Sequence, residues 1–249
     1  MIALDIHTSQ GRFESMSPEE VLMWACEMLP GKAVFASSLG VEDQVIFDMI
    51  SRLDLDIPVF TLDTGRLFKE TYELIEATQE KYGRQIKIYF PQAEAVQAMV
   101  EEEGVNLFRK GIEQRKQCCQ VRKLEPLSRA LKGYQAWVCG VRREQAESRT
   151  AAEVVGLDAN GRTKINPLAS WTEDQVWDYI RTHDVPYNAL HDKGFLSIGC
   201  ACCTRAVEPG ESARSGRWWW EEDEHKECGL HFVNGKLVRR QAQPEDSIQ

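Results

Sequence analysis

The chain has 249 residues, 43% of them hydrophobic and 28% charged, with a formal net charge of −9. That length and apolar fraction support one large α/β domain, or one domain with an appendage. The negative balance excludes a surface built as a whole to attract nucleic acid or anionic membrane, so any anionic ligand must meet a local basic patch.

The opening MIALDIHTSQGRF has no basic start, no long apolar run and no small-residue cleavage site. No apolar stretch approaches the ~20 residues that cross a bilayer. The expected location is the cytoplasm. Thiols stay reduced there, so the eight cysteines are expected as ligands or catalysts rather than as a disulfide framework.

Along the chain, SPEEVLMWACEML opens with a capping box, Ser17 and Glu20, before an amphipathic helix. AVFASS (33–38) reads as a buried strand, and LGVEDQVIFDMISRL as loop into helix. IPVFTLDTG (57–65) is a second strand. RLFKETYELIEATQEKYG is a helix closed by Gly83. QIKIYF (85–90) is a third strand, AEAVQAMVEEEG a helix, and VRKLEPLSRALKG a helix interrupted near Pro126. AWVCGV (136–141) is a fourth strand. The alternation predicts a mostly parallel, doubly wound α/β sheet. VVGLDANGRTKINPL then reads as a hairpin turning at DANG, and TEDQVWDYIRTHDV as a helix capped by Thr172. The boundary is expected after residue 206, with 207–249 a mobile C-terminal segment of polar, glycine-containing composition.

Cys118-Cys119 and Cys200-x-x-Cys203 form two thiol clusters. Soft thiolates select zinc or iron–sulfur clusters, and a tandem pair is unusual for zinc. The irons of a [4Fe–4S] cube lie close enough for adjacent residues to reach two of them. Zinc and ordinary core or redox cysteines remain alternatives, and Cys202 is an alternative to Cys203. Cys26 and Cys139 lie in an apolar helix and strand, as small buried hydrophobes do. Cys228 stands apart between Lys226 and His231, which suits a nucleophile, with a surface thiol as the plain alternative.

SSLGVED (37–43) joins a strand to a helix. Ser37, Ser38 and Gly40 are expected to aim hydroxyl and backbone N–H groups at a phosphate, helped by the helix N-terminus. The loop lacks the Gly-Lys-Ser/Thr ending of a Walker A motif, and Asp43 suits a triphosphate poorly. LDTG ends the next strand, where α/β sheets place ligand loops. Basic candidates are Lys123, Arg142, Arg143, Arg149, Arg214 and Arg217. Arg115 and Lys116 are expected as surface charges.

Together SSLGVEDQV, LDTGRLFKET, CCQVRKLEPL, GVRREQ, INPLASWTEDQVWDYI, VPYNALHDKGFLSIGCACCTR, GRWWWE and KECGLH resemble the sulfonucleotide reductases. Within them they resemble the assimilatory adenylylsulfate (APS) reductases, almost end to end. The resemblance implies an adenine nucleotide α-hydrolase-like (PP-loop type) sheet with a modified phosphate loop. It implies a [4Fe–4S] cluster on Cys118, Cys119, Cys200 and Cys203, and Cys228 as nucleophile. It places Lys123 near cluster and sulfate, Ser37, Ser38 and Gly40 in the phosphate loop, and Leu62, Asp63, Thr64 and Gly65 beside the nucleotide. Arg142 or Arg143, with Arg214 and Arg217, would hold phosphate and sulfate. Relatives that use the 3′-phosphorylated nucleotide (PAPS) generally lack these cysteines, which favours APS. The departures from the pattern are Cys202 inside the cluster motif and Cys139 before Gly140.

The implied reaction is attack of Cys228 on the sulfate sulfur with loss of AMP. Reduced thioredoxin, or a glutaredoxin-like dithiol, then releases sulfite. PAPS reductase activity is one alternative. A PP-loop tRNA thiolase with an iron–sulfur cluster is another, although SSLGVED lacks that class's paired glycines and final serine. A non-catalytic iron–sulfur sensor is a third, opposed by the phosphate loop and Cys228. Neither nucleic acid nor membrane is expected as partner, and the oligomeric state, a homo-oligomer included, stays open.

Overall fold

A computed structural model describes residues 10–145 and 149–221, and the backbone at 232–233 and 236–237. The expected capping box at Ser17 and the expected cap at Thr172 both form. Ser17 accepts from the Glu20 N–H at 3.2 Å and its own N–H reaches the Glu20 carboxylate at 2.7 Å, starting α2 (Pro18–Met28) after the short α1 (Gln10–Ser15). Thr172 and Gln175 do the same for α8 (Glu173–His183). Gly83 ends α4 (Lys69–Tyr82) with φ +61, a left-handed position that costs glycine nothing.

The expected strands form as β1 (Ala33–Ala36), β2 (Val59–Leu62), β3 (Ile86–Tyr89) and β4 (Ala136–Val138). The hairpin supplies β5 (Val155–Leu157) and β6 (Thr163–Ile165). Its turn is held by Asp158, whose carboxylate accepts N–H groups of Asn160 and Arg162 at 2.8 and 2.9 Å. Sheet order is β3-β2-β1-β4-β6-β5, parallel except for β5 against β6. Phe232–Val233 and Lys236–Leu237 make a separate antiparallel pair, β7 and β8.

Strand alternation divides the core. Phe35, Val59, Val138 and Ile165 pack with α2, α3 (Val41–Arg52), α4 and α8 on one face. Val34, Phe60, Trp137 and Cys139 face α7 (Glu125–Ala130) on the other. A third apolar cluster joins Met99 of α5 (Ala93–Glu103), Leu107, Phe108, Cys118, Cys203 and Trp218.

The helix break expected near Pro126 lies just before it. α6 (Ile112–Cys119) runs into a π-turn, Gln120–Leu124, and α7 follows with Pro126 in its first turn. Proline lacks the N–H that would bond the Arg122 carbonyl, and its ring crowds that carbonyl, so the preceding turn widens. The widened turn carries Arg122 and Lys123. On the C-terminal side of residue 206, the described chain as far as Glu221 packs onto the body: Trp218 is 2% exposed.

Candidate active site

β1 lies between β2 and β4, so the chain turns opposite ways from its two neighbours. Parallel sheets bind ligands at that switch point, beyond the carboxyl ends of the strands. A cavity of about 1180 Å³ opens there. Its wall runs from Ser37, Ser38 and Gly40 past Leu62, Thr64 and Arg142 to Lys123, Cys118, Cys119, Cys200, Cys203, Arg214 and Arg217. Residues more than 160 positions apart in sequence thus share one wall.

The loop after β1 is braced from within. Ser38 donates both its N–H and its hydroxyl to Asp43 Oδ2, each at 2.6 Å, and Leu39 N–H donates to Ser37 Oγ at 3.1 Å. Asp43 Oδ1 accepts the Gly140 N–H at 2.8 Å, tying the β1 loop to the β4 loop. Ser38 therefore braces the loop that lines the cavity. Gly40 caps α3 with no side-chain acceptor, which leaves the first-turn N–H groups for a ligand. Burial raises the Asp43 pKa from 3.8 to about 6, against the bonds from Ser38 and Gly140.

The two adjacent arginines separate. Arg142 lines the cavity and pairs with Glu42 at 2.9 Å. Arg143 turns away, to Glu14 of α1 at 2.5 Å and the Ala152 carbonyl at 2.8 Å. Arg149 also lines the cavity. Asp63 accepts the Tyr72 hydroxyl at 3.0 Å and the Gly65 N–H at 2.7 Å, and Gly65 takes φ +71. These two build the turn, while Leu62 and Thr64 face the cavity.

The thiols gather at the other end. Thr64 Oγ1 lies 3.2 Å from Cys200 Sγ, and Cys202 Sγ 3.8 Å from Cys203 Sγ. Burial pushes the Cys118 thiol up, with Arg122 pulling the other way. Burial likewise pushes Cys200 up, opposed by Thr64, Arg217 and Lys123. Among the described residues no group of three or more His, Cys, Asp or Glu side chains is set to hold a single metal ion. Cys139 is buried and donates to Asn166 Oδ1 at 3.1 Å, as a core thiol does, and Cys26 is partly buried. Cys228 lies outside the described residues.

Sequence reasoning missed several participants. Arg115, expected on the surface, is 1% exposed and paired with Glu221 at 2.7 Å. Lys116 pairs with Glu113 at 2.6 Å, as an ordinary helix-surface couple does. Arg122 is buried and donates to the Thr64 carbonyl at 2.8 Å. His191 packs against Trp177 in the cavity wall, with burial lowering its pKa. No spacing rule marks Arg115, Arg122 or His191, because their partners lie on other elements.

The phosphoadenosine phosphosulfate reductase domain family matches residues 32–206. The chain belongs to that family. An adenosine 5′-phosphosulfate reductase of Allochromatium vinosum is 52% identical over 213 residues, 85% of this chain and 83% of that protein. One of Pseudomonas aeruginosa is 43% identical over 226 residues, 88% of this chain and 83% of that protein. The solved phosphoadenylyl-sulfate (PAPS) reductase of Candida auris superposes with a TM-score of 0.71 at 30% identity, over 83% of this chain and 98% of that one. Candida glabrata FMN adenylyltransferase, at 15% identity and a TM-score of 0.54, shares the fold. No described helix is long and apolar enough to cross a membrane.

Proposed function

We propose that this member of the reductase family reduces adenylyl sulfate to sulfite and AMP, with Cys228 as nucleophile and a reduced dithiol protein of the thioredoxin type as electron donor. The observation that carries the reading is the single cavity that joins the α3 N-terminus to Lys123 and the thiols. A nucleotide seated at the switch point would turn its anionic end toward Lys123, Arg214 and Arg217. The A. vinosum and P. aeruginosa relatives, named for the non-3′-phosphorylated substrate, support that choice over PAPS.

Two anions meet in the reaction, so positive charge must be in place before it begins. Arg142 and the α3 N-terminus suit the phosphate, and Lys123, Arg214 and Arg217 suit the sulfate. The Cys228 thiolate bonds to the sulfate sulfur, the bond from sulfur to the bridging oxygen breaks, and AMP leaves with that electron pair. A dithiol thiolate then attacks Cys228 Sγ and expels sulfite. The dithiol's second thiol closes its own disulfide and returns Cys228 as the thiol.

The thiol end fits a [4Fe–4S] cluster. Four soft donors, Cys118, Cys119, Cys200 and Cys203, come from two elements, and burial opposes ionisation of Cys118 and Cys200 unless a cation compensates. Among the described residues, the buried N–H donors without an acceptor include Arg122 Nε, Arg217 Nε, Trp218 Nε1 and Trp220 Nε1. Trp218 and Trp220 share the thiols' apolar cluster, and cluster sulfurs accept such bonds. The Cys200-x-x-Cys203 spacing favours Cys203 over Cys202 as the ligand. The cluster would supply local charge, with the electrons coming from the dithiol.

Sulfite release from APS and from PAPS, measured with reduced thioredoxin on anaerobically purified protein, tests the reading. Cys228→Ser is expected to keep the cluster absorbance and lose sulfite production. Sustained thioredoxin-dependent sulfite release by that variant would reject the nucleophile.

A further inference from the structure

We propose that the buried ion pair between Arg115 and Glu221 is a latch that holds the two cysteine pairs in register, making both residues positioning residues for the thiol site. The inference rests on the cluster reading above. Its elements are a helix, a loop and a strap between them.

Residues 214–221 form the strap. One side is bonded to the loop that carries Cys200 and Cys203. Trp218 N–H donates to the Cys203 carbonyl at 3.0 Å, Arg205 N–H donates to the Gly216 carbonyl at 3.0 Å, and Thr204 bridges Arg217 in antiparallel fashion. A β-carbon on Gly216 would lie 2.3 Å from the Arg205 carbonyl oxygen, so strap and loop are in backbone contact. The far end of the strap is fixed to α6. Arg115 Nε donates to both oxygens of Glu221 at 3.0 and 3.2 Å, and Nη2 donates to Oε2 at 2.7 Å. Arg115 stands three residues ahead of Cys118 on the same helix.

Trp218 locks the middle. Its ring lies 4.5 Å from the Arg115 guanidinium and 5.1 Å from that of Arg217. Its φ of +42 is one that a bulky residue keeps only where the surroundings over-determine it. The side chains of Arg115 and Glu221 are 1% and 4% exposed. α6 therefore cannot draw away from the Cys200–Cys203 loop without leaving a buried charge unpaired, which is strongly unfavourable. Cys118 and Cys200 lie 82 positions apart in sequence, and the strap contacts the elements that carry both. The strap also carries Arg214 and Arg217 into the cavity wall, so one device sets the thiols and the anion-binding charges together.

The test uses the full-length protein purified anaerobically. Loss of the cluster absorbance to an iron chelator is timed in wild type, Glu221→Gln, Arg115→Lys and Ile50→Ala, the last removing a buried side chain from the opposite core. Glu221→Gln is expected to bleach at least about tenfold faster than wild type. Arg115→Lys keeps the charge but not the fork, and is expected to fall between the two. Ile50→Ala is expected to bleach at the wild-type rate despite a lowered urea midpoint. Equal acceleration in Glu221→Gln and Ile50→Ala would assign the effect to general destabilisation and overturn the latch, as would wild-type bleaching in Glu221→Gln. Hydrogen exchange in the unsubstituted protein gives a second reading. The Trp218 and Glu221 amides are expected to be protected as strongly as those of β1 and β4, and exchange in the range of frayed loops would overturn the proposal. Wild-type protein lacking iron and sulfide would reject the cluster reading itself, and the exchange measurement would still decide the latch.

Discussion

Gly199→Ala tests the anion site without removing any charged group. A β-carbon there would lie 2.2 Å from Nη2, 2.4 Å from Cζ and 2.8 Å from Nη1 of Arg217. Gly199 is not among the glycines with positive φ, so the backbone itself accepts alanine. The clash falls on the end of a flexible side chain, and the guanidinium swings aside. It gives up the Ile198 carbonyl at 3.1 Å and Ser197 Oγ at 3.4 Å, a folding cost of about 1 kcal/mol. If Arg217 holds the sulfate, the lost charge-assisted contact is worth about 1.5–3 kcal/mol, or about 10- to 150-fold in kcat/KM. Steady-state sulfite release across a range of APS concentrations measures that loss, and thermal unfolding measures the folding cost. Arg217→Ala is expected to lose as much, and the double variant no more than Arg217→Ala alone, because both act on one group. Wild-type kcat/KM in Gly199→Ala, or additive losses in the double variant, would refute the placement of Arg217.

Two further perturbations separate residues that look alike in sequence. Arg142→Ala strands the Glu42 carboxylate, whose pair with Arg142 has side chains only 5% and 12% exposed; it is expected to cost about 3 kcal/mol of stability and to weaken nucleotide binding. Arg143→Ala loses a solvent-screened pair with Glu14 and one bond to the Ala152 carbonyl, and is expected to stay within about 1–2 kcal/mol of wild type with unchanged KM, as read by urea unfolding and steady-state kinetics. Asp43 makes a pH prediction. Its folded pKa is raised, so the native state binds the proton more tightly than the unfolded chain, and this contribution to stability is lost as pH rises through about 6. The stability of wild type relative to Asp43→Asn is expected to be about 1.4 kcal/mol greater at about pH 5 than at about pH 7.5. A pH-independent difference in urea unfolding free energies would show that Asp43 is not held as a desolvated acid.

The legible parts of the molecule are those where local chemistry decides local geometry. Ser17 with Glu20, Thr172 with Gln175, and Gly83 each announce a helix end by a rule spanning a few residues, and each end formed. The apolar runs at 33–38, 57–65, 85–90 and 136–141 announce strands, and a shorter strand forms inside each. Arg115 shows what such rules cannot reach. Read beside Lys116 in a run of charges, it matches a solvated surface; what buries it is Glu221, 106 positions later. The same holds for Ser38, which reads as a phosphate-loop residue in sequence and whose hydroxyl donates to Asp43 in the first turn of α3. It also holds for Arg142 and Arg143, which composition leaves equivalent and which the course of the chain after β4 sends to opposite sides. In each case a charged or polar side chain was legible as a donor, and its acceptor was set by packing between elements. The two cysteine pairs do share one cavity wall, and sulfur chemistry narrows their possible partners before the fold is known. Even so, the strap that ties Cys203 to the Cys118 helix had no signature beyond three tryptophans and a glutamate in a stretch that composition assigns to a tail.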